Sequence, residues 1–113
     1  MKLVDKHISL EELRKRSAQM FGGLVKAVVD IDKGVMVIDA SMHADEEHYL
    51  LGTGSHQDNL WGINLYPDQS GDNFIEFDSM INVRPRLNNF SRGVESEELQ
   101  KKILAVVHKL VTQ

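Results

Sequence analysis

The chain has 113 residues, of which 42% are hydrophobic and 27% are charged, and it contains no cysteine. This composition excludes a disordered chain, and the lack of thiols excludes a disulfide framework, a thiolate nucleophile and a cysteine-ligated zinc. No apolar run reaches the roughly 18 residues of a membrane span and no signal-peptide pattern is present, so we expect one cytoplasmic domain over residues 1–113.

The formal net charge of −4 is distributed unevenly along the sequence. Residues 34–83 contain nine acidic residues and neither Lys nor Arg, whereas the flanking segments hold all thirteen basic residues and eight acidic ones. Either the basic flanks fold back over the acidic middle, or the middle binds a cation or a cationic partner. Duplex nucleic acid is disfavoured as a partner, because phosphate binding needs Lys and Arg clustered on a basic face.

The first elements predicted along the chain are a helix and a β-hairpin. Ser9 and Glu12 have the spacing of a helix capping box, so a helix is expected from there to about Phe21. Two Val- and Ile-rich runs, 26–32 and 35–40, are joined by a short turn that contains a glycine. This pattern predicts two antiparallel strands.

A second helix and two further strands follow. Residues 42–51 carry acidic residues near their start and glycines beyond their end, which predicts a short helix capped by Ser41 or Asp39. Apolar residues alternate with polar ones in residues 60–66 and 74–84, which predicts two strands joined by a turn.

A third helix is expected to begin near Ser96, because two glutamates suit its first turn and an apolar stripe follows. The resulting order is α-ββ-α-ββ-α. It predicts an α+β domain with a sheet of about four strands, antiparallel or mixed, and three helices packed mainly on one face of that sheet.

Pairing of the last two strands predicts a polar row on one face of the sheet. The register places Asn64 opposite Glu76 and Gly62 opposite Asp78. Because Asp and Asn are depleted in strands, their repetition here indicates a ligand-binding face. The alternative is a solvated face with internal ion pairs. The candidate residues of this face are Asn64, Glu76, Asp78, Asn82 and Arg84.

The segment after this row predicts an anion-binding loop. Residues 84–93 contain three arginines and no acidic residue. Arginine forms paired contacts with carboxylate and phosphate, and neutral side chains nearby add donors. No phosphate-loop motif occurs, and the arginines could equally neutralise the acidic middle. The candidate residues of the loop are Arg84, Arg86, Asn89, Ser91 and Arg92.

His43 and Glu47 stand four residues apart and would project from one helical face as two ligands of a divalent metal. A further ligand could come from Asp39, His56 or Asp58, which would give a site suited to zinc, iron or manganese. No zinc-protease motif supports this hypothesis, and acidic residues in a first helical turn commonly complement the helix dipole.

Short stretches along nearly the whole chain share one resemblance. They are residues 20–22, 24–30, 43–47, 60–67, 74–82, 84–85, 89 and 91–94. On these residues the chain resembles a prokaryotic family known as domain of unknown function 5674. The resemblance implies a small domain that stands alone, and it implies no catalytic residue and no cofactor.

The leading functional hypothesis is a binding or interaction module. It would recognise an anionic small molecule or a protein partner through the polar sheet face and the arginine loop. The alternative is a small metal-assisted hydrolase or phosphoryl-handling enzyme that uses Glu76, Asp78 and His43. A third hypothesis is a structural or homo-oligomeric subunit.

Overall fold

The protein is described by a computed structural model that covers residues 1–20 and 22–113. Within these residues the helices are α1 (Leu10–Ser17), α2 (His43–Gly52) and α3 (Glu97–Leu110). The strands are β1 (Lys2–Val4), β2 (Ile8–Ser9), β3 (Val25–Asp30), β4 (Val35–Ile38), β5 (Leu60–Leu65), β6 (Ile75–Glu76) and β7 (Val111–Thr112). Three helices with mainly antiparallel strands confirm the predicted α+β class.

The main sheet has the strand order β1-β4-β3-β5-β6, and each neighbouring pair is antiparallel. It has five strands in the described chain instead of about four, because β1 adds to the edge of β4. A separate parallel pair, β2 with β7, joins the two ends of the chain. The three extra strands were not predicted, since runs of two or three residues are too short to show a period of two.

Two of the helices, α1 and α3, cover one face of the sheet with an apolar core. Leu13 of α1 and Ile103 and Val107 of α3 are fully buried there, together with Met36 of β4 and Ile63 of β5. The stripe predicted for the last helix therefore forms the main core. Its burial supplies the principal driving force for folding.

The remaining helix, α2, covers the opposite face through a mostly polar surface. Its apolar anchor is Leu50, which packs with Val28, Val37 and Leu60 in a second, smaller cluster. On the same side of α2, toward the sheet, His43 and Glu46 are also buried. This face positions the candidate site.

Short-range hydrogen bonds from side chains close the hairpin turn and cap the first turns of α1 and α3. The carboxylate of Asp30 accepts hydrogen bonds from the backbone N–H of Asp32 and Lys33, both at 2.9 Å, and so closes the predicted turn between β3 and β4. The hydroxyl of Ser9 accepts from the N–H of Glu12 at 3.1 Å, and that of Ser96 caps α3 in the same way at 3.2 Å. The predicted cap at Ser9 and the predicted helix start near Ser96 are both confirmed.

Two helix ends differ from the prediction. The first helix ends at Ser17, and the expected end at Phe21 lies outside the described residues. Met42 occupies the cap position of α2, where we expected Ser41 or Asp39, and the described chain shows no side-chain cap bond there. Asp39 instead takes a left-handed backbone conformation, with φ of 68°, and its carboxylate binds Arg16.

The predicted strand over residues 74–84 is wrong beyond Glu76. The chain leaves the sheet and forms a 3₁₀ turn at Met80–Asn82, capped by the hydroxyl of Ser79. The amide side chain of Asn82 then takes the place of the missing strand against Gly62. Asn82 Oδ1 accepts from the Gly62 N–H at 2.8 Å, and Asn82 Nδ2 donates to the Gly62 carbonyl at 2.9 Å. Gly62 and Asp78 are therefore not strand partners.

Candidate functional site

The first predicted pair of the polar row is present. Asn64 lies opposite Glu76, as expected, and its Nδ2 donates to Glu76 Oε1 at 2.9 Å. The hydroxyl of Tyr66 donates to the same oxygen at 3.1 Å. Beyond this pair the strand has ended, and Asp78 binds Arg92 Nε at 2.6 Å. The predicted row is therefore not continuous, because only Asn64 and Glu76 pair across strands and the later members have other partners.

Asn82 and Asn89 use their side chains to hold the backbone of the loop. Besides its bonds to Gly62, Asn82 donates to the Arg92 carbonyl at 3.0 Å. Asn89 Nδ2 donates to the carbonyls of Asn82 and Gly93 at 2.7 and 2.8 Å. Both side chains are almost fully buried. They give the arginine loop a fixed frame, since buried polar groups that are well bonded rigidify their surroundings.

The guanidinium of Arg84 is the most deeply buried cation of the predicted site, at 6% exposure. Its Nη2 donates to Glu47 Oε2 on α2 at 3.0 Å, and the group lies 5.1 Å from the ring centre of Trp61. Burial lowers the pKa of Arg84, and the negative charge of Glu47 opposes that shift. The cation is held by one carboxylate and one aromatic face.

The second terminal nitrogen of Arg84, Nη1, is buried and has no hydrogen-bond partner among residues 1–20 and 22–113. A guanidinium carries five N–H donors, and a buried donor without an acceptor costs about 1–3 kcal/mol or more when charged. Such an atom requires an explanation, because native structures contain few of them.

Arg84 lies in the wall of an open cavity of about 420 Å³ between α2 and the turns after β6. The polar residues of the wall come from α2, the segment after it and the arginine loop, and they are Glu47, Gln57, Arg84 and Arg86. The apolar residues of the wall are Met80, Ile81, Val83 and Pro85. Two of the three predicted arginines therefore share one cavity.

Arg86 stands at the exposed side of this cavity. Its Nη1 lies 2.5 Å from Asp58, and its Nη2 donates to Gln57 at 3.3 Å. Arg92, the third arginine, binds Asp78 instead and is not part of the wall. Ser91 is also outside it, and its N–H donates to Glu95 Oε2 at 2.8 Å.

The uneven charge pattern finds its counterpart in tertiary ion pairs. Five arginines of the flanks each bind an acidic residue of the middle segment. The pairs are Arg14–Asp68, Arg16–Asp39, Arg84–Glu47, Arg86–Asp58 and Arg92–Asp78. The basic flanks thus fold back over the acidic middle, as the first of the two interpretations expected.

The two residues predicted as metal ligands have protein partners. His43 Nε2 lies 2.7 Å from the Ile63 carbonyl, to which it donates, and Glu47 binds Arg84. Burial lowers the pKa of His43, which keeps the ring neutral. No cluster of three or more His, Cys, Asp or Glu side chains that could hold a metal occurs in the residues that the structure describes. The metal hypothesis stays a prediction from sequence.

Sequence reasoning missed Glu46, which is fully buried in the α2 interface. Its Oε2 accepts from the Ala40 N–H at 3.0 Å, whereas its Oε1 has no partner in the described chain. Burial raises the pKa of Glu46 to about 9, so the carboxyl is protonated at neutral pH. Its spacing from His43 and Leu50 at i, i+3 and i+7 was the signal that could have identified it.

Comparison with known proteins gives a family and nothing finer. A family model described as Protein of unknown function (DUF5674) matches residues 2–110. The chain belongs to this family. Neither a curated protein nor a solved structure matches the chain.

Three features meet at the cavity of this DUF5674 chain. They are a buried cation with one unpaired terminal nitrogen, apolar side chains in the wall and a loop fixed by buried asparagines. None of the helices within the described residues is long and apolar enough to cross a membrane.

Proposed function

We propose that this protein is a binding module whose cavity at Arg84 holds a single carboxylate of its ligand. The observation that carries the proposal is the buried Nη1 of Arg84, which finds no acceptor in the described chain and belongs to a residue that lines the cavity. A ligand carboxylate there would receive a charge-assisted hydrogen bond and remove the cost of an unpaired donor.

The charges of the cavity favour a singly charged ligand. Arg84 and Arg86 supply two positive charges, and Glu47 and Asp58 lie within 3.0 Å of them, so the four groups sum to zero. A polyphosphate would place several negative charges beside these carboxylates without matching cations. One carboxylate needs only the free donor of Arg84.

The other members of the wall favour an apolar body behind the carboxylate. Met80, Ile81, Val83 and Pro85 line the cavity, and contact with them would remove apolar surface of both partners from water. Hexanoate combines the two features. It is therefore a suitable probe, to be compared with inorganic phosphate and tripolyphosphate.

The test is titration calorimetry with the three probes at constant ionic strength. Hexanoate should bind more tightly than either phosphate. Arg84→Lys can still bind Glu47 with its one nitrogen, but it lacks a second nitrogen for the ligand, so hexanoate affinity should fall by about tenfold or more. The matched control is Arg92→Lys, since Arg92 is outside the cavity and is also paired with an aspartate.

Glu47→Gln gives the opposite prediction at the same site. Without this carboxylate the charge of Arg84 is no longer neutralised by Glu47, so hexanoate should bind more tightly. Its affinity should rise by about tenfold for each 1.4 kcal/mol of binding free energy gained. Equal affinity in the wild type and in Arg84→Lys, or tighter binding of tripolyphosphate than of hexanoate, would overturn the proposal.

A further inference from the structure

An apolar surface continues outward from the cavity. Met80 is 65% exposed, Phe90 is 64% exposed and Val83 is 37% exposed. Met80 and Val83 belong to the cavity wall. An antiparallel bridge pairs Arg84 with Asn89, and the same register places Val83 opposite Phe90. We call Met80, Val83 and Phe90 the apolar rim.

Hydrogen bonds of the arginine loop hold Phe90, the last member of the apolar rim, in place. The N–H groups of Phe90 and Ser91 donate to one carboxylate oxygen of Glu95, at 2.6 and 2.8 Å. These two bonds, the first of them foremost, lower the pKa of Glu95 and keep the carboxylate charged. Asn89, the residue before Phe90, is itself fixed by the hydrogen bonds of its buried side chain. Phe90 is thus displayed by a fixed backbone, which lowers the entropy lost on binding.

We infer that the carboxylate received by Arg84 belongs to an acidic side chain of a partner protein, in a segment whose neighbouring apolar residues cover the apolar rim. This inference rests on the proposed function. A small carboxylate would fill the cavity but leave Phe90 in water, whereas a peptide segment would reach both. Met, aromatic residues and Arg are also the side chains enriched at protein interfaces.

Depth favours a side chain over a chain terminus as the source of the carboxylate. The guanidinium of Arg84 is only 6% exposed, so an acceptor must reach inward to meet it. A terminal carboxylate is attached directly to the main chain, but a glutamate carries its carboxylate at the end of a flexible side chain. The partner segment can then stay on the surface, along the apolar rim, while one side chain enters the cavity.

The inference is tested with a display library of random eight-residue peptides, all with amidated C-termini. Selection on the wild type should enrich peptides in which one glutamate or aspartate is flanked by apolar residues. Arg84→Lys and Phe90→Ser should each weaken a selected peptide by about tenfold or more in fluorescence anisotropy. Leu51→Ser is the matched control, because Leu51 is 39% exposed on α2 and lies outside the apolar rim and the cavity.

The outcomes separate this inference from the proposed function. Enriched peptides without an acidic residue, or binding that is unchanged by either test variant, would overturn the inference. Failure of the library to enrich any peptide, while hexanoate binding still depends on Arg84, would also overturn it and would leave the proposed function standing. Failure of both peptide and hexanoate to bind would overturn both.

Discussion

Glu46→Gln should make the protein more stable at neutral pH by an amount that depends on pH. Burial raises the pKa of Glu46 to about 9 from an ordinary value of 4.5, so between these values the folded protein binds a proton that the unfolded chain releases. The free energy of unfolding of the wild type therefore falls as pH rises through this window. Glutamine has nearly the same shape and cannot ionise.

The magnitude follows from the width of the window. Each pH unit between the two pKa values corresponds to about 1.4 kcal/mol of free energy. Ionisation of Glu46 therefore stabilises the unfolded chain relative to the folded one by about 3 kcal/mol between pH 4.5 and pH 7. Lys26 favours the ionised form, whereas Asp39 favours the protonated one. The N-terminal amine also favours ionisation, but burial is the dominant cause. The stability advantage of Glu46→Gln should thus grow by about 1.3 kcal/mol per pH unit from pH 5 to pH 8.

Urea unfolding of both proteins at pH 5, 6, 7 and 8 measures this difference, with Asp45→Asn as the control. Asp45 is an exposed acid of the same helical turn, so its substitution removes one negative charge without changing a buried group. A Glu46→Gln advantage that stays constant from pH 5 to pH 8, or that matches the control at each pH, would refute the protonated buried carboxyl.

Three further predictions concern the stability of the fold, and urea unfolding measures each of them. Gly62→Ala should lower the free energy of unfolding by about 2 kcal/mol, because the added Cβ would lie 2.6 Å from Ser79. Adding Ser79→Gly to this variant should restore at least about half of the loss, whereas additive effects of the two substitutions would contradict the contact. Asn89→Ala should cost more than about 2 kcal/mol by leaving buried carbonyls without donors, and a smaller loss would mean that water replaces them. Ser96→Ala should cost about 1 kcal/mol through loss of the α3 cap, and Ser96→Asp should not.

The parts of the fold that could be predicted are those specified by neighbouring residues. The Ser9 and Ser96 caps act over three residues, and the turn after Asp30 is closed by its own carboxylate. The pairing of Asn64 with Glu76 was also accessible, because a turn joins the two strands and sets their register. In these cases the sequence separation is small, and local chemistry decides the structure.

The strand after Glu76 shows why other parts could not be predicted. Apolar residues alternate through this segment as they would in a strand, but an amide side chain twenty residues along the chain from Gly62 forms the hydrogen bonds of that strand. The ion pair between Glu47 and Arg84 spans thirty-seven residues. Nothing in either residue's immediate neighbours indicates the other, so the sequence identified Arg84 as a candidate without its partner or its cavity.

The two faces of the sheet are covered by different kinds of side chain. Leu13 and Ile103 belong to an apolar face without charged groups, whereas α2 carries the buried Glu46 and the partly buried Glu47 although Leu50 already anchors it. Replacement of a buried ion pair such as Glu47–Arg84 by apolar side chains of similar volume is often neutral or stabilising. Folding alone therefore gives no reason for a buried Arg84 with an unpaired Nη1 on this face, and the proposed ligand would supply the missing acceptor.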